Sequence, residues 1–301
     1  MMISNSPPTR NIVLAIDGSK HAMAAIKLIQ NLPLPQFCGI TLISVMQPRN
    51  AHEFGHHEQL LEQAKIKLKT GGVNVETKVL SGNPGEQIVD YATQNHPDLL
   101  VLGAKGLRGT LRILLGGVAQ QVVEYAPCPV LIVRDPHIQM KHVLLVTDGS
   151  EHSQYAIQHL SQCPLPNDSF ITALHVLPPE ITPQMLFQSL SYGQDHVPLS
   201  LPPDVEETLA QRAQTEAEHG ENLLHQTGET LHQLGLNFKT VLRRGDSATE
   251  ILDYAEQNHI DLIIAGSRGL SQVQSWVLGS VSSKLVHYAD CSVLVMKKPK
   301  P

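Results

Sequence analysis

The stretch NIVLAIDGSKHAMAAIKLIQNLPLPQFCGITLISV, residues 11–45, decides the fold because the chain contains it twice. Residues 142–176, HVLLVTDGSEHSQYAIQHLSQCPLPNDSFITALHV, align with it without a gap at a constant offset of 131. Each copy runs from a short apolar, β-branched segment through Asp-Gly-Ser into a helical pattern, then through Pro-Leu-Pro into a second apolar segment. Ser19 and Ser150 stand where a hydroxyl would cap the helix. Met23, Ile26 and Ile29 recur at spacings of three in the first copy, and Ala156, Ile157 and Leu160 supply the apolar positions in the second. A repeat of this size makes the duplicated unit the object to explain.

Farther along, SGNPGEQIVDYATQNHPDLLVLG (81–103) matches RGDSATEILDYAEQNHIDLIIAG (244–266) at 11 of 23 positions, now at an offset of 163. The offset has grown by 32, so the second copy holds an insertion of that length between the blocks. The run from Pro178 to Asp204, with six prolines, is the expected place, as a loop or lid. The halves are then 1–138 and 139–301, the second with its insertion at about 178–204. At 301 residues the chain is long enough for two domains, each with a core.

Within a copy, NIVLAI, ITLISVM, VNVETKVL, DLLVLG and PVLIV read as strands separated by helical segments. Continuous apolar runs suit a sheet covered on both faces. The expected class is α/β, with strands made parallel by right-handed crossovers and ligands at their carboxyl ends.

Lys plus Arg number 22 against 28 Asp plus Glu, a formal charge of -6, with 42% hydrophobic and 17% charged residues. The first half counts 12 basic and 10 acidic side chains, the second 10 and 18, much of the excess acid falling between Asp204 and Glu229 as a solvated helix face. Such a balance fits a globular protein and leaves no basic stripe for a nucleic-acid backbone. Cys38, Cys128, Cys163 and Cys291 make no C-x-x-C pair and read as buried thiols in a reducing compartment. MMISNSPPTR has no apolar signal core, and no stretch approaches the roughly 18 apolar residues that span a bilayer. A cytoplasmic location without membrane partners is expected.

Chemistry-bearing residues cluster after the strands. Asp17 and Asp148 close the first strand of each copy, followed by Gly-Ser. The second copy's fourth strand runs into GSRGLSQVQSWVLGSVSSKL: Gly266, Gly269 two residues on, then Gly279-Ser280 nine residues later, opening a helix. Glycines between a strand and a helix start let backbone N–H groups approach an anion that the helix dipole also favours. Ser280 and Ser282 add hydroxyls there, and Arg268 adds a charged donor.

These residues resemble the universal stress protein family, whose nucleotide-binding members carry Gly-x2-Gly-x9-Gly-Ser/Thr after strand 4 and an acidic residue closing strand 1. The resemblance covers both halves apart from the insertion. It implies two five-stranded parallel sheets of order 3-2-1-4-5, flanked by helices, in a nucleotide-binding α-hydrolase-like fold. It also implies ATP, with Mg²⁺, as the ligand: adenine at the end of strand 2 near Val176, adenosine facing Asp148, and ribose and phosphates held by Gly266, Gly269, Gly279, Ser280 and Ser282. In the first half Asp17, Gly103, Gly106 and Gly116 keep the pattern, but Gly117 stands where Ser or Thr is expected and Ala119 where the second half has Ser282. Losing two hydroxyls at about 1 kcal/mol each predicts phosphate binding weaker by roughly thirtyfold.

Two alternatives belong to other classes. An interaction protein of this fold without nucleotide would carry a damaged glycine motif, whereas the second half's is intact. An adenylating enzyme on a related sheet would carry S-G-G-x-D-S, or H-I-G-H with K-M-S-K-S, where this chain has DGSK and DGSE. No catalytic residue is assigned, and any ATP hydrolysis is expected to be slow and incidental. HEFGH (52–56) satisfies H-E-x-x-H, with Glu76 as a conceivable third ligand, but a zinc site needs both histidines on one helix face. Glu76 falls in a strand pattern and the second copy lacks the motif, so no metal site is assigned. Finally, CPVLIV (128–133) and CSVLVM (291–296) are too apolar to remain sheet edges. They are expected to pair with each other as an intramolecular pseudo-dimer, further homodimers needing another surface.

Overall fold

A computed structural model describes residues 11–35, 37–47, 54–68, 73–107, 115–136, 139–182, 184–185, 204–270 and 278–298. The first copy contains β1 (Asn11–Ala15), α1 (Lys20–Asn31), β2 (Gly39–Met46), α2 (Phe54–Leu68), β3 (Asn74–Ser81), α3 (Pro84–Asn95), β4 (Leu99–Gly103), α4 (Gly117–Tyr125) and β5 (Val130–Val133). The second contains β6 (His142–Val146), α5 (Glu151–Gln158), β7 (Phe170–Leu177), α6 (Asp204–Gln233), β8 (Asn237–Arg244), α7 (Ser247–Gln257), β9 (Leu262–Gly266), α8 (Ser280–Tyr288) and β10 (Ser292–Met296).

The strands form one sheet of ten, in the order β3-β2-β1-β4-β5-β10-β9-β6-β7-β8. Each copy keeps the order expected of it, and the two five-stranded halves are joined edge to edge into one sheet through their final strands. β5 and β10 hydrogen-bond in antiparallel register, Val293 with Ile132, Leu294 with Leu131 and Val295 with Val130. Every other neighbouring pair is parallel. The cause is the composition of these two strands: all nine of their residues are buried, and either one left as a free edge would expose apolar backbone. The outer strands β3 and β8 are the opposite case, half-exposed and carrying Lys78, Lys239 and Arg243.

Helices cover both faces, so the central strands are buried on both. Ile12, Leu14, Val101, Leu131 and Leu294 pack on one face, and Val13, Leu100, Val130, Val293 and Val295 on the other. Helix starts follow local chemistry. Ser19 accepts a hydrogen bond from the Ala22 amide at 3.2 Å, and Ser150 from the Ser153 amide at 3.2 Å. Asn83 and Asp246 cap α3 and α7 in the same way. No described helix is long and apolar enough to cross a membrane.

The extra 32 residues are shared between the loop expected at about 178–204 and the helix that follows it. Residues 178–203 connect β7 to α6 where 47–53 connect β2 to α2, but α6 also has 30 residues where α2 has 15. Roughly half of the excess is therefore helix. Ala210, Arg212 and Gln214 continue the pattern because Leu, Ala, Glu and Gln are good helix formers and no Pro or Gly interrupts before Gly220. Most of the proline-rich stretch, where a lid is expected, lies outside the described residues, as does the HE of HEFGH. His56 lies in the first turn of α2, and Glu76 sits in β3 opposite Thr41 of β2.

Candidate functional site

In each copy the winding reverses between the first and fourth strands, opening a crevice at their carboxyl ends. In the second copy β6 ends at Val146, and after Thr147 comes Asp148, with one carboxylate oxygen accepting from the Ser150 amide at 3.0 Å. Gly149, at φ +78°, makes the turn possible, since side chains on L-residues disfavour that region. The other Asp148 oxygen lies only 2.6 Å from where a Cβ on Gly269 would stand. Gly269 is thus a glycine so that the loop after β9 can close over the carboxylate.

The remaining glycines have separate reasons. A Cβ on Gly266 would lie 2.7 Å from the His152 carbonyl carbon and 2.9 Å from the Ser153 nitrogen, so this residue lets the first turn of α5 sit on the end of β9. Gly279 donates its amide to the Ser267 carbonyl at 2.8 Å, and a Cβ there would meet the Arg268 Cα at 3.2 Å. It folds the start of α8 back onto the 267–269 turn. As N-cap of α8, Gly279 offers no side-chain hydrogen bond, so among the described residues the amides of the first turn have no capping side chain. This sets α8 apart from α1, α3, α5 and α7, all capped by a side chain.

A cavity of about 220 Å³ lies at this helix start. Asp148, Val176, Gly266, Arg268, Gly269, Gly279, Ser280 and Ser282 all line it, so the second-half residues singled out in the sequence converge on one place. One role changes. Ser282 is 5% exposed and donates its hydroxyl to the Gly266 carbonyl at 2.6 Å. Its only hydroxyl proton is directed at the strand-to-helix junction rather than into the cavity. Ser280 is the hydroxyl left at the helix start.

The sequence reading missed Thr147, Ser153, His175, Ser247 and Ile251, which also line the cavity. His175 Nδ1 lies 2.8 Å from the Thr147 carbonyl oxygen, fixing the ring between β6 and β7. The available signal was its position one residue before Val176, at the carboxyl end of a strand beside the reversal point. Close by, His152 Nδ1 is 3.2 Å from the Ser267 hydroxyl. Burial first, then the charges of Arg268 and Lys298, hold this imidazole below its ordinary pKa.

The first copy repeats the geometry with different walls. Asp17 accepts from the Ser19 amide at 3.0 Å and from the Leu107 amide at 3.1 Å, and a Cβ on Gly106 would come within 2.6 Å of it. Gly103 lies under α1 as Gly266 lies under α5, and the Gly116 amide donates to the Ala104 carbonyl at 2.8 Å. Asp17, Gly103, Gly106 and Gly116 line a cavity of about 310 Å³ with Gly117 and Ala119. Added side-chain atoms at Gly117 would meet nothing within 4 Å.

Fold and crevices together define a doubly wound α/β protein built twice in one chain, with a ligand-sized cavity in each copy. The universal stress protein family model matches residues 8–134 and again 140–297, so the chain belongs to that family in both halves. It is 33% identical over 126 residues to a universal stress protein of Methanocaldococcus jannaschii, covering 42% of this chain and 71% of that one. A universal stress protein of Thermus aquaticus is 30% identical over 135 residues, covering 42% of this chain and 98% of its own length. Among solved structures, a universal stress protein from Archaeoglobus fulgidus superposes with a TM-score of 0.67 at 18% identity, over 97% of this chain and 98% of that one. That likeness extends the agreement in fold to the whole tandem arrangement.

Proposed function

We propose that the second half binds an adenine nucleotide, ATP with Mg²⁺, and that occupancy of this site, with turnover at most slow, is the signal the protein carries. The observation that supports this most directly is the start of α8: amides without a side-chain cap, at the mouth of a cavity, behind a strand-to-helix turn made of Gly266, Gly269 and Gly279. Such a helix start is matched to phosphate by both its N–H groups and its dipole. In this reading Ser280 and Arg268 add donors to the phosphates, Asp148 faces the sugar, and Val176 with Ile251 lines the adenine end. Ser282 acts from behind by fixing the Gly266 carbonyl.

The same reading makes the first half, residues 1–138, the weaker site and residues 139–301 the stronger one, the two joined as an intramolecular pseudo-dimer. With Ser282 spent on the backbone, the asymmetry rests mainly on Ser280 against Gly117. One hydrogen bond to a charged group contributes about 1.5–3 kcal/mol, so the sites should differ by about tenfold or more. Calorimetric titration of the full chain with ATP and Mg²⁺ tests this. One strong site is expected, weakened at least tenfold by Ser280→Ala; two equal sites, or indifference to Ser280→Ala, would overturn the assignment.

A further inference from the structure

The crevice is built twice, and its two versions differ in one consistent sense. Thr147, Ser153, Ser247, Ser280 and Ser282 line the second copy's cavity, the hydroxyls of Thr147, Ser153 and Ser282 bonded to neighbouring protein atoms. At the same repeat positions the first copy has Ile16, Ala22, Pro84, Gly117 and Ala119. Five hydroxyls have become carbon or hydrogen. Among the described positions that line both cavities the first copy gains no hydroxyl in return, although Ala15 stands where the second copy has the larger Val146. A lining residue also grows more apolar where Ala265 is matched by Leu102.

Loss of a site would produce the same substitutions but not the same space. A crevice with no guest gains by being filled, because apolar walls facing water or a void forfeit contacts roughly in proportion to the volume left open. The first-copy cavity is instead the larger, about 310 Å³ against 220 Å³. An apolar cavity of about 150 Å³ takes up a benzene-sized guest, and small-molecule pockets begin at roughly 300 Å³. The scaffold that shapes the crevice also persists, since Asp17 still ties the turn through the Ser19 and Leu107 amides. Each Asp17 oxygen accepts one backbone hydrogen bond and keeps a second lone pair. Asp17, with Ser19 and Lys105 beside it, therefore forms a polar edge to a space whose other side chains are apolar.

We propose that the first-half cavity is a second binding site, for an uncharged, largely apolar molecule of two or three rings that presents one hydrogen-bond donor to Asp17. The chain would then read two chemistries on one sheet, a polyanion on one side of the central strands and an apolar ring compound on the other. This goes beyond the nucleotide reading and survives its failure, because it depends only on the first-half walls.

The test uses the full chain and N-phenyl-1-naphthylamine, an uncharged ring compound with one N–H that fluoresces when it leaves water. Titrations are run without ATP and with ATP and Mg²⁺ at a concentration that fills the stronger second-half site but not the weaker first-half one. Saturable binding of one probe per chain is expected, with similar affinity in both conditions. Ala119→Ser combined with Ile16→Thr should weaken it at least tenfold. Gly117→Phe, placed where a Cβ meets nothing, should block the probe while the urea midpoint confirms an intact fold. Cys163→Ser, in a different apolar cavity between the halves, should leave binding unchanged. Absence of saturable binding overturns the proposal, and so does binding that ignores the first-half variants or follows Cys163→Ser. If ATP fails to bind while the probe responds as described, the nucleotide reading falls and this one stands.

Discussion

An added Cβ at Gly266 would lie 2.7 Å from backbone of His152, whereas one at Gly117 would meet nothing within 4 Å. The glycines of one motif are therefore not interchangeable. Gly266→Ala forces α5 away from β9, and overpacking of this kind typically costs about 1–3 kcal/mol. A urea midpoint unchanged by Gly266→Ala would show that the helix can slide aside and that this glycine serves only a ligand. At Gly117 the opposite holds. Gly117→Ser should be neutral or slightly stabilising, because Ser is a better helix former than Gly and the position has room. It also returns the hydroxyl whose lack distinguishes the first copy, so in a chain carrying Ser280→Ala it should raise first-half affinity for ATP by about tenfold, read by calorimetry. No gain would mean that the hydroxyl at this position does not decide the asymmetry. Here the sequence was a partial guide. Spacing found the residues, but it could not tell that the Ser282 proton goes to the Gly266 carbonyl, because a hydrogen bond's direction depends on which backbone group the turn brings alongside.

Among the elements, strands and helix starts were legible because their causes are local: apolar runs for β1, β4 and β9, and Ser19 and Ser150 as caps. A solvated helix face over Asp204–Glu229 was legible from its acidic residues, but not that this helix accounts for about half of the insertion, because the proline-rich run beside it draws the extra length to the loop. A pH response follows from the first turns of α1 and α5. His21 and His152 occupy the same repeat position, and burial first, then Lys105 for one and Arg268 with Lys298 for the other, lowers both from the ordinary 6.5. His21 Nδ1 accepts from the Asp135 amide at 3.0 Å, a bond that protonation of Nδ1 would abolish. The sign follows from linkage. Below about pH 6.5 the unfolded chain takes up protons that the folded imidazoles refuse, so this stabilisation is complete above that pH and is lost as pH falls toward the depressed values. The urea midpoint should therefore decline between pH 7 and about 5.5, and His21→Asn with His152→Asn should flatten the decline. Glu216 and Asp246, both lowered by hydrogen-bonded partners, act only in a more acidic window. An unaltered slope in the double variant would remove the histidines as its cause.

At the scale of the molecule, Leu131 pairs with Leu294, its own repeat equivalent, so the two copies are related about the centre of the β5–β10 ladder. Just beyond that ladder each copy reaches into the other with a buried cation. Arg134, 6% exposed, donates to the Val286 and His287 carbonyls at 2.8 and 3.1 Å, at the end of α8. Lys297, 7% exposed, donates to the Ala126 and Glu124 carbonyls at 2.7 and 3.1 Å, at the end of α4. They too are repeat equivalents, and each sits where a helix dipole favours positive charge and where carbonyls lack helical partners. Val293→Lys would disturb the join but also the core that β10 shares with β9, whereas these cations touch the opposite copy's helix and so isolate the contact between copies. Lys297→Met leaves buried carbonyls without donors, which costs about 1–3 kcal/mol, and Arg134→Met should act likewise. The control is Lys298→Met, whose exposed ammonium reaches only Glu151 of its own copy and whose loss should leave the midpoint where it was. Urea unfolding of the three variants decides the matter. Midpoints lowered by Lys297→Met and Arg134→Met alone would place this part of the chain's stability in the reciprocal grip of its halves. A Lys297→Met chain as stable as Lys298→Met would instead leave the apolar β5–β10 ladder to hold the copies together by itself.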